Sequence, residues 1–185
     1  MWIGMISSER TQNAIVAIMI IIALTSSVFL ASNAAYYTGS YSLAGRMQIT
    51  LVDITASNID PANASVFPRL ALTFNLKTTS AMDGNVRITF MGAAVTLNDD
   101  VLSYMPFART IPLDEQPVHP GYDVNVTLSR TSSTEEDRAT IINAFQTDYW
   151  NWTIVFRYSF ITFDETGSIV WDYTVFRVLG VDHIL

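Results

Sequence analysis

The chain opens with one long apolar stretch and then changes to short segments in which apolar and polar residues alternate. Between Arg10 and Arg46 no side chain is charged, and residues 14–31 are mostly Ala, Ile, Leu, Met, Val and Phe. As a helix, residues 14–31 would rise about 27 Å, close to the hydrocarbon thickness of a bilayer. The pattern therefore predicts a short cytoplasmic tail at residues 1–12 and a transmembrane helix at residues 13–35.

Aromatic residues flank this stretch on both sides. Tyr36 and Tyr37 follow it directly, and Trp2 precedes it. Tyr and Trp are enriched where a membrane helix meets the aqueous interface, so these three residues are predicted to lie at the membrane interface. Residues 36–45, YYTGSYSLAG, have no apolar period and are predicted to form a spacer between the membrane and the domain that follows.

Three interpretations of the apolar stretch differ in the fate of the helix. A cleavable signal peptide is favoured by the small residues Ser32 and Ala34, but the apolar run is longer than an ordinary signal core. Gly4 followed by MISSE resembles a prepilin cleavage site, although the polar residues that follow are unusual for a pilin helix. An uncleaved signal-anchor fits best, and Arg10 on the cytoplasmic side places the domain outside the cell.

After residue 45, alternating segments predict strands with one buried face. The clearest is RLALTFNLK at residues 69–77, in which every second residue is Leu or Phe. In residues 85–91, Val86, Ile88 and Phe90 are predicted to share one face. Strands are predicted at residues 47–56, 69–77, 85–91, 94–97, 102–113, 122–130, 152–163 and 168–179, with prolines interrupting 102–113.

One further helix is predicted in the soluble part, at residues 134–146. Ser133 and Glu136 have the spacing of a capping box, and the acidic residues that follow favour a helix N-terminus. Ala139, Ile142 and Phe145, with Ile141 beside them, form an apolar stripe at helical spacing. The fold class is therefore mainly β: one transmembrane helix and then an antiparallel seven- to eight-stranded β-sandwich at residues 46–185 with one short helix.

The last two strands are dense in aromatic residues. Four of them share one face of residues 152–163, and Val155, Ile161 and Phe163 occupy the other. A sandwich strand needs only one apolar face. The additional apolar side chains on the second face indicate that this face is covered by the helix, the spacer, another subunit or the bilayer. Core packing is the alternative. The candidate partner surface consists of Trp152, Phe156, Tyr158, Trp171 and Tyr173.

Composition narrows the class of protein. The net charge is −7 and Lys77 is the only lysine, so nucleic-acid binding is disfavoured on electrostatic grounds. The chain has no cysteine, which excludes disulfides and thiolate metal sites and fits an extracytoplasmic domain of an archaeon or bacterium.

Sites for chemistry are sparse. His119 and His183 have no ligand-spaced partners, and the acidic clusters lack the spacing of a calcium loop. No catalytic, cofactor-binding or metal-binding residue is predicted. Three Asn-x-Ser/Thr sequons make Asn63, Asn125 and Asn151 candidate glycosylation sites in an extracellular domain.

The order of elements resembles the LEA14-like family (late embryogenesis abundant type 2, water-stress and hypersensitive response domains). The similarity covers residues 47–179 and rests on VRITFMGAAVTLNDDVL, on TIPL followed by a Pro/Gly loop and YDVNVTLSR, and on a helix followed by NWTIVFRYSFITF. The resemblance implies a seven-stranded sandwich with a helix before the last hairpin. It also implies membrane-anchored relatives and no catalytic residue.

These observations lead to one functional hypothesis and an alternative. The protein is expected to be a non-enzymatic, membrane-anchored extracytoplasmic binding or structural module, such as an accessory subunit of a membrane or cell-envelope complex. Its expected partners are the membrane, through one span, and other membrane or envelope proteins. A pilin-like or other surface filament subunit is the alternative, and an enzyme is a third, disfavoured class.

Overall fold

The computed structural model describes residues 3–103, 105–162 and 169–185. Within them the chain divides into two compact units. One unit ends at Thr38, and the other spans Gly39–Leu185. The proposed interface residue Trp2 and the turn predicted between the last two strands lie outside the described residues.

The first helix, α1, spans Ile3–Gly45. Its segment Glu9–Gly45 is long and apolar enough to cross a membrane, with a mean hydropathy of 2.7 in its most apolar window and none of that window buried by protein. Thr25 and Ser27 donate their hydroxyl protons to the carbonyl oxygens of Ile21 and Ala23, which satisfies these polar groups within the helix. The apolar helix predicted at residues 13–35 is therefore present as part of a longer one.

Residues 36–45 do not form the predicted irregular spacer, because they are helical throughout. The last seven residues of α1 belong to the second unit, where Leu43 and Ser40 are fully buried. The Ser40 hydroxyl accepts a hydrogen bond from the backbone N–H of Asn85, and Thr78 donates its hydroxyl to the Leu43 carbonyl. These contacts with distant residues supply the stabilisation that the local sequence lacks.

Ten strands and a second helix follow in the described part of the chain. Seven strands have four or more residues and three have two, which agrees with the predicted sandwich. In chain order they are β1 (Met47–Ser57), β2 (Arg69–Thr78), β3 (Val86–Leu97), β4 (Asp100–Val101), β5 (Phe107–Thr110), β6 (Pro117–Val118), β7 (Asp123–Thr131), α2 (Glu135–Thr147), β8 (Asn151–Thr162), β9 (Ile169–Leu179) and β10 (His183–Ile184).

The strands form two sheets that face each other. Sheet A has the order β10-β1-β2-β7, and sheet B has β4-β3-β8-β9, with β5 and β6 also pairing with β3. All pairs are antiparallel except β1 with β10. The alternation predicted for β2 is confirmed, because Leu70, Leu72, Phe74 and Leu76 are all fully buried. The Phe74 and Phe156 rings meet across the interface with centroids 4.4 Å apart.

Three local predictions need correction. Residues 86–97 form one continuous strand rather than two, and residues 102–113 contain only the four-residue strand β5. The N-cap of α2 is Thr134 rather than Ser133, because its hydroxyl accepts the hydrogen bond from the Asp137 backbone N–H. The buried face of α2 is also rotated from the predicted stripe, since Ala139 and Phe145 are exposed and the buried residues are Asp137, Ile141, Ile142 and Ala144.

Candidate functional site

The outward face of sheet A is polar, and its side chains bond to one another. Lys77 and Asp123 form an ion pair at 2.8 Å, and Asn75 donates to the carboxylate of Asp123 at 2.7 Å. Further along, the hydroxyls of Thr73 and Thr127 lie 2.9 Å apart. Hydrogen bonds from Asn75 and Lys77 hold the pKa of Asp123 below its ordinary value. This face has the chemistry of an ordinary solvated sheet surface.

The outward face of sheet B has a different chemistry. Cross-strand register places Gly92, Arg157 and Tyr173 in one row and Ala94, Val155 and Val175 in the next. On β9, Trp171 is 61% exposed and Tyr173 67% exposed. We call this surface the apolar face; it comprises Phe90, Gly92, Ala94, Val155, Ile169, Trp171, Tyr173 and Val175.

A shallow groove of about 370 Å³ lies across the apolar face. The rings of Phe90 and Trp171 meet edge to face at its side, with centroids 5.6 Å apart. Gly92 forms part of the groove, and a Cβ there would lie 3.1 Å from both the Phe90 ring and the Phe107 carbonyl oxygen. The missing side chain therefore leaves room for the Phe90 ring close to the backbone of Gly92.

The charged residues on this face are basic. Arg87, Arg157 and Arg177 occupy outward positions on β3, β8 and β9, and none forms an ion pair with a residue that the structure describes. The outward positions of these three strands include no carboxylate among the described residues. Because the whole chain carries a net charge of −7, this surface is electrostatically unlike the rest of the molecule.

The candidate partner surface drawn from the sequence is wrong for three of its five residues. Trp152 and Phe156 are fully buried, and Tyr158 is 3% exposed. The reason is topological: β8 lies between β3 and β9, and these side chains face sheet A. Only Trp171 and Tyr173 lie where a partner could reach them.

Sequence reasoning missed Phe90 because of a β-bulge. The register between β3 and β8 shifts between Ile88 and Phe90. The shift moves Phe90 outward and brings Met91 into the core at 1% exposure. Simple alternation had put Phe90 on the face of Val86 and Ile88. The adjacent bulky residues Phe90 and Met91 were the available signal for the bulge, because strict alternation places only one of two neighbouring residues in the core.

The three sequons differ in accessibility. Asn63 is exposed in the loop between β1 and β2, where its side-chain oxygen accepts a hydrogen bond from the Ser65 backbone N–H. Asn125 is exposed on β7, and its side-chain oxygen accepts from Asn75. Asn151 is half-buried at the first position of β8. Asn63 is therefore the site that a modifying enzyme would reach most easily.

Other polar groups have structural surroundings. His183 lies 3.5 Å from the Asp53 carboxylate, and His119 stands in an exposed loop. Burial and the nearby Asp172 carboxylate raise the pKa of Tyr158, whose hydroxyl donates to that carboxylate at 3.1 Å. No group of three or more metal-binding side chains occurs among the described residues. The apolar face is thus the most distinctive surface on this part of the chain.

By its own geometry the protein is a β-sandwich with an N-terminal helix long and apolar enough to cross a membrane. No family model matches the chain, and no curated protein matches it. Among solved structures it is similar to a protein assigned as ApaA from Bordetella pertussis (14% identity, TM-score 0.42, covering 73% of this chain and 94% of that one). It is also similar to a protein from Archaeoglobus fulgidus, with 8% identity and a TM-score of 0.38, covering 70% of this chain and 98% of that one. A third similar structure is a protein assigned to the late embryogenesis abundant (LEA) group, with 11% identity and a TM-score of 0.35, covering 85% of this chain and 87% of that one.

Proposed function

We propose that the protein is a non-enzymatic, membrane-anchored binding module that holds another protein of a membrane or cell-envelope complex on the apolar face. The observation that carries this proposal is the contrast between the two sheets. Sheet A presents a polar, internally bonded surface, whereas sheet B presents Trp171 and Tyr173 to solvent. An exposed, contiguous apolar patch with aromatic residues is typical of protein-binding surfaces.

The described residues of the folded unit leave this face open at Trp171, Tyr173 and Val175, so we propose that its cover comes from elsewhere. The sequence left four candidates: the short helix, the spacer, another subunit and the bilayer. The buried residues Ile141 and Ala144 of α2 belong to the hydrophobic core, and the end of α1 at residues 39–45 bonds to Thr78 and Asn85. Another subunit is favoured over the bilayer because aromatic groups interspersed with arginines and a polar rim suit a protein surface.

The chemistry of the partner follows from the charges. Arg157 lies within the apolar face and lines its groove, and Arg87 and Arg177 lie farther along β3 and β9. The complementary surface would therefore be apolar, with carboxylates opposite the groove as well as at its edge. Arg and Trp are also the residues that most often dominate binding energy in protein interfaces. A partner surface with basic edges would be repelled.

The anchor is the second part of the proposal. The α1 segment is exposed along its most apolar window, as a helix in lipid would be, and Arg10 lies near its start. We propose one uncleaved span with Tyr36 and Tyr37 near the outer interface and the sandwich outside the cell. The order of the strands and of α2 supports placing the sandwich with LEA14-like domains.

The partner surface is tested by substitution and co-purification from native membranes in mild detergent. Trp171→Ser with Tyr173→Ser should abolish co-purification and leave folding unchanged, because both side chains are largely exposed. Val52→Ser is the matched control, since it removes an apolar side chain of sheet A that is 52% exposed. Migration of the unsubstituted protein at monomer mass in native gels would refute the proposal.

N-terminal sequencing of the purified protein tests the anchor. An uncleaved span predicts that the chain retains the residues before Arg10. Loss of residues 1–34 would identify a signal peptide, and loss of residues 1–4 would favour the filament subunit. Protease added to intact cells should digest the sandwich if the domain lies outside. A glycan at Asn63, removed by Asn63→Gln, would independently report that location.

A further inference from the structure

The outer edge of sheet B is a long strand with an unprotected flank. Strand β9 contains eleven residues, Ile169–Leu179, and pairs with β8 on one side. It is the last strand of sheet B, and no other described strand pairs with it. It contains no proline and no lysine, and only Asp172 and Arg177 are charged. No described strand pairs with the backbone groups on this flank, although the Tyr173 N–H donates to the Asp172 carboxylate at 2.8 Å.

The other sheet edges carry protective features that β9 lacks. The edge of sheet A at β10 has only two residues. Beyond β3, sheet B ends in three short strands, β4, β5 and β6, in a segment that contains Pro106, Pro112 and Pro117. The edge at β7 carries Asp123 and Arg130, and Arg130 donates to the Pro106 carbonyl oxygen. Short strands, prolines and lysines are the usual protection of free edges. Strand β9 is long, has no proline or lysine and carries only the charges of Asp172 and Arg177, which points to a use for this edge.

We propose that β9 pairs antiparallel with β9 of a second copy of this chain, around a two-fold axis at Thr174. A two-fold axis perpendicular to the sheet leaves the outward faces of both copies on the same side of the joined sheet. Residues that pair across the axis must therefore both point outward or both point inward. Thr174 is the middle residue of β9, and centring there pairs all eleven residues of both strands. Every other allowed register leaves residues at the strand ends unpaired.

Side-chain chemistry favours the same register. On the outward face it sets Ile169 against Leu179, Trp171 against Arg177 and Tyr173 against Val175. The first pair is apolar, the second places a guanidinium beside an indole ring, and the third is an aromatic with a β-branched residue.

The inward face is compatible with this pairing. It sets Val170 against Val178, Thr174 against its own copy, and Asp172 against Phe176. Moving the axis to Asp172 would place two carboxylates opposite each other, which is unfavourable. The Thr174-centred register therefore avoids like charges on both faces.

Pairing makes one continuous sheet and joins the apolar faces of the two copies side by side. The contact is isologous and closes after two chains, so it protects the edge without producing a fibre. The inference deepens the proposed function, because it adds a second copy of this chain as a partner in this region. The two interactions are separable, since edge pairing uses backbone groups of β9 that the partner protein on the apolar face does not need.

The chain has no cysteine, so a single introduced thiol reports its own neighbours. Thr174→Cys in the full chain, in mild detergent with a mild oxidant, should give a reducible dimer, because directly opposed residues lie about 4.5–5.5 Å apart at Cα, within disulfide range. Thr50→Cys is the control for chance collision, since Thr50 is exposed on the outward face of sheet A. It should stay monomeric.

A second pair of variants tests the register. Val170 of one copy lies opposite Val178 of the other, while the two Val170 residues are about 27 Å apart, at 3.4 Å per residue. Val170→Cys alone should therefore form no dimer, and a mixture of Val170→Cys and Val178→Cys chains should form one.

The outcomes separate this inference from the proposed function. A monomeric Thr174→Cys, equal dimer from Thr50→Cys, or dimer from Val170→Cys alone would each overturn the pairing. Co-purification of a different protein that depends on Trp171 and Tyr173 would survive any of those results. Conversely, a Thr174→Cys dimer with no such co-purifying protein would support the pairing and contradict the partner proposal.

Discussion

Gly39→Ala is predicted to detach the end of α1 from the sandwich. The backbone of Gly39 crosses the backbone of Asp83 and Gly84 so closely that a Cβ on Gly39 would lie 1.7 Å from the Asp83 carbonyl oxygen. Neither partner is a flexible side chain, so the two segments must move apart by roughly an ångström or more. The reciprocal contact is equally tight, because a Cβ on Gly84 would lie 2.4 Å from the Ser40 backbone nitrogen.

The magnitude follows from what this crossing holds in place. Separation would expose Leu43, now 0% exposed, which costs about 2 kcal/mol for a leucine side chain. It would also break the Asn85 N–H bond to the Ser40 hydroxyl and the Thr78 hydroxyl bond to the Leu43 carbonyl, about 1 kcal/mol each. The free energy of unfolding should fall by about 4 kcal/mol, a large part of the total for a domain of this size.

Urea unfolding in mild detergent, followed by the fluorescence of the buried Trp150 and Trp152, measures this loss. Gly45→Ala is the matched control, because it lies in the same helix and a Cβ there meets nothing within 4 Å. The control should be neutral or slightly stabilising, as alanine is the better helix former. Hydrogen exchange at residues 40–44 should become fast in Gly39→Ala alone. Equal stability of the two variants would refute the docking of residues 39–45.

Three other substitutions test separate parts of the structure. Arg138→Ala should destabilise the sandwich by about 3 kcal/mol in urea unfolding. The Arg138 guanidinium donates to the carbonyl oxygens of Asp60, Asn63 and Val66 in the loop before β2. A loss of stability similar to that from removing an exposed arginine would contradict this role. Asn75→Ala should raise the pKa of Asp123 in a carboxyl NMR titration, because it removes a hydrogen bond to the carboxylate. Folding lowers this pKa, so the ionised Asp123 stabilises the protein above about pH 4, and that stabilisation is lost as the pH falls below it. The pH-dependent stabilisation should be smaller in the variant. Thr134→Ala should cost about 1 kcal/mol and fray α2 in hydrogen exchange, whereas Ser133→Ala should leave the cap bond intact.

Much of the sandwich was predictable because its strands alternate. In β2 the large apolar residues Leu70, Leu72, Phe74 and Leu76 point to the core and the residues between them point away, so burial follows directly from the pattern. The predicted start of α2 was one residue early because Ser133 and Thr134 are both good N-caps, and only the backbone conformation selects between them. Local signals are reliable where local chemistry alone decides the structure.

The interaction surface was less predictable because it depends on long-range packing. One face of β8 is aromatic and aliphatic and the other includes Thr153, Arg157 and Ser159, but only the assembled sandwich shows that the aromatic face packs on sheet A rather than on a partner. The bulge that moves Phe90 outward arises from the pairing of β3 with β8, not from the residues of β3 alone. Residues 39–45 are helical because Leu43 and Ser40 become buried against residues distant in sequence, which overrides a composition typical of a loop.

Site-specific photocross-linking in native membranes tests the central claim most directly. A photoreactive residue at Ala94, which is exposed on the apolar face and lies two strands from the β9 edge, is compared with one at Thr50 on the outward face of sheet A. The account predicts that Ala94 cross-links to one discrete protein other than this chain and that Thr50 does not. Cross-links from Ala94 to lipid alone, or equal and diffuse products from both positions, would contradict a protein-binding role for this face.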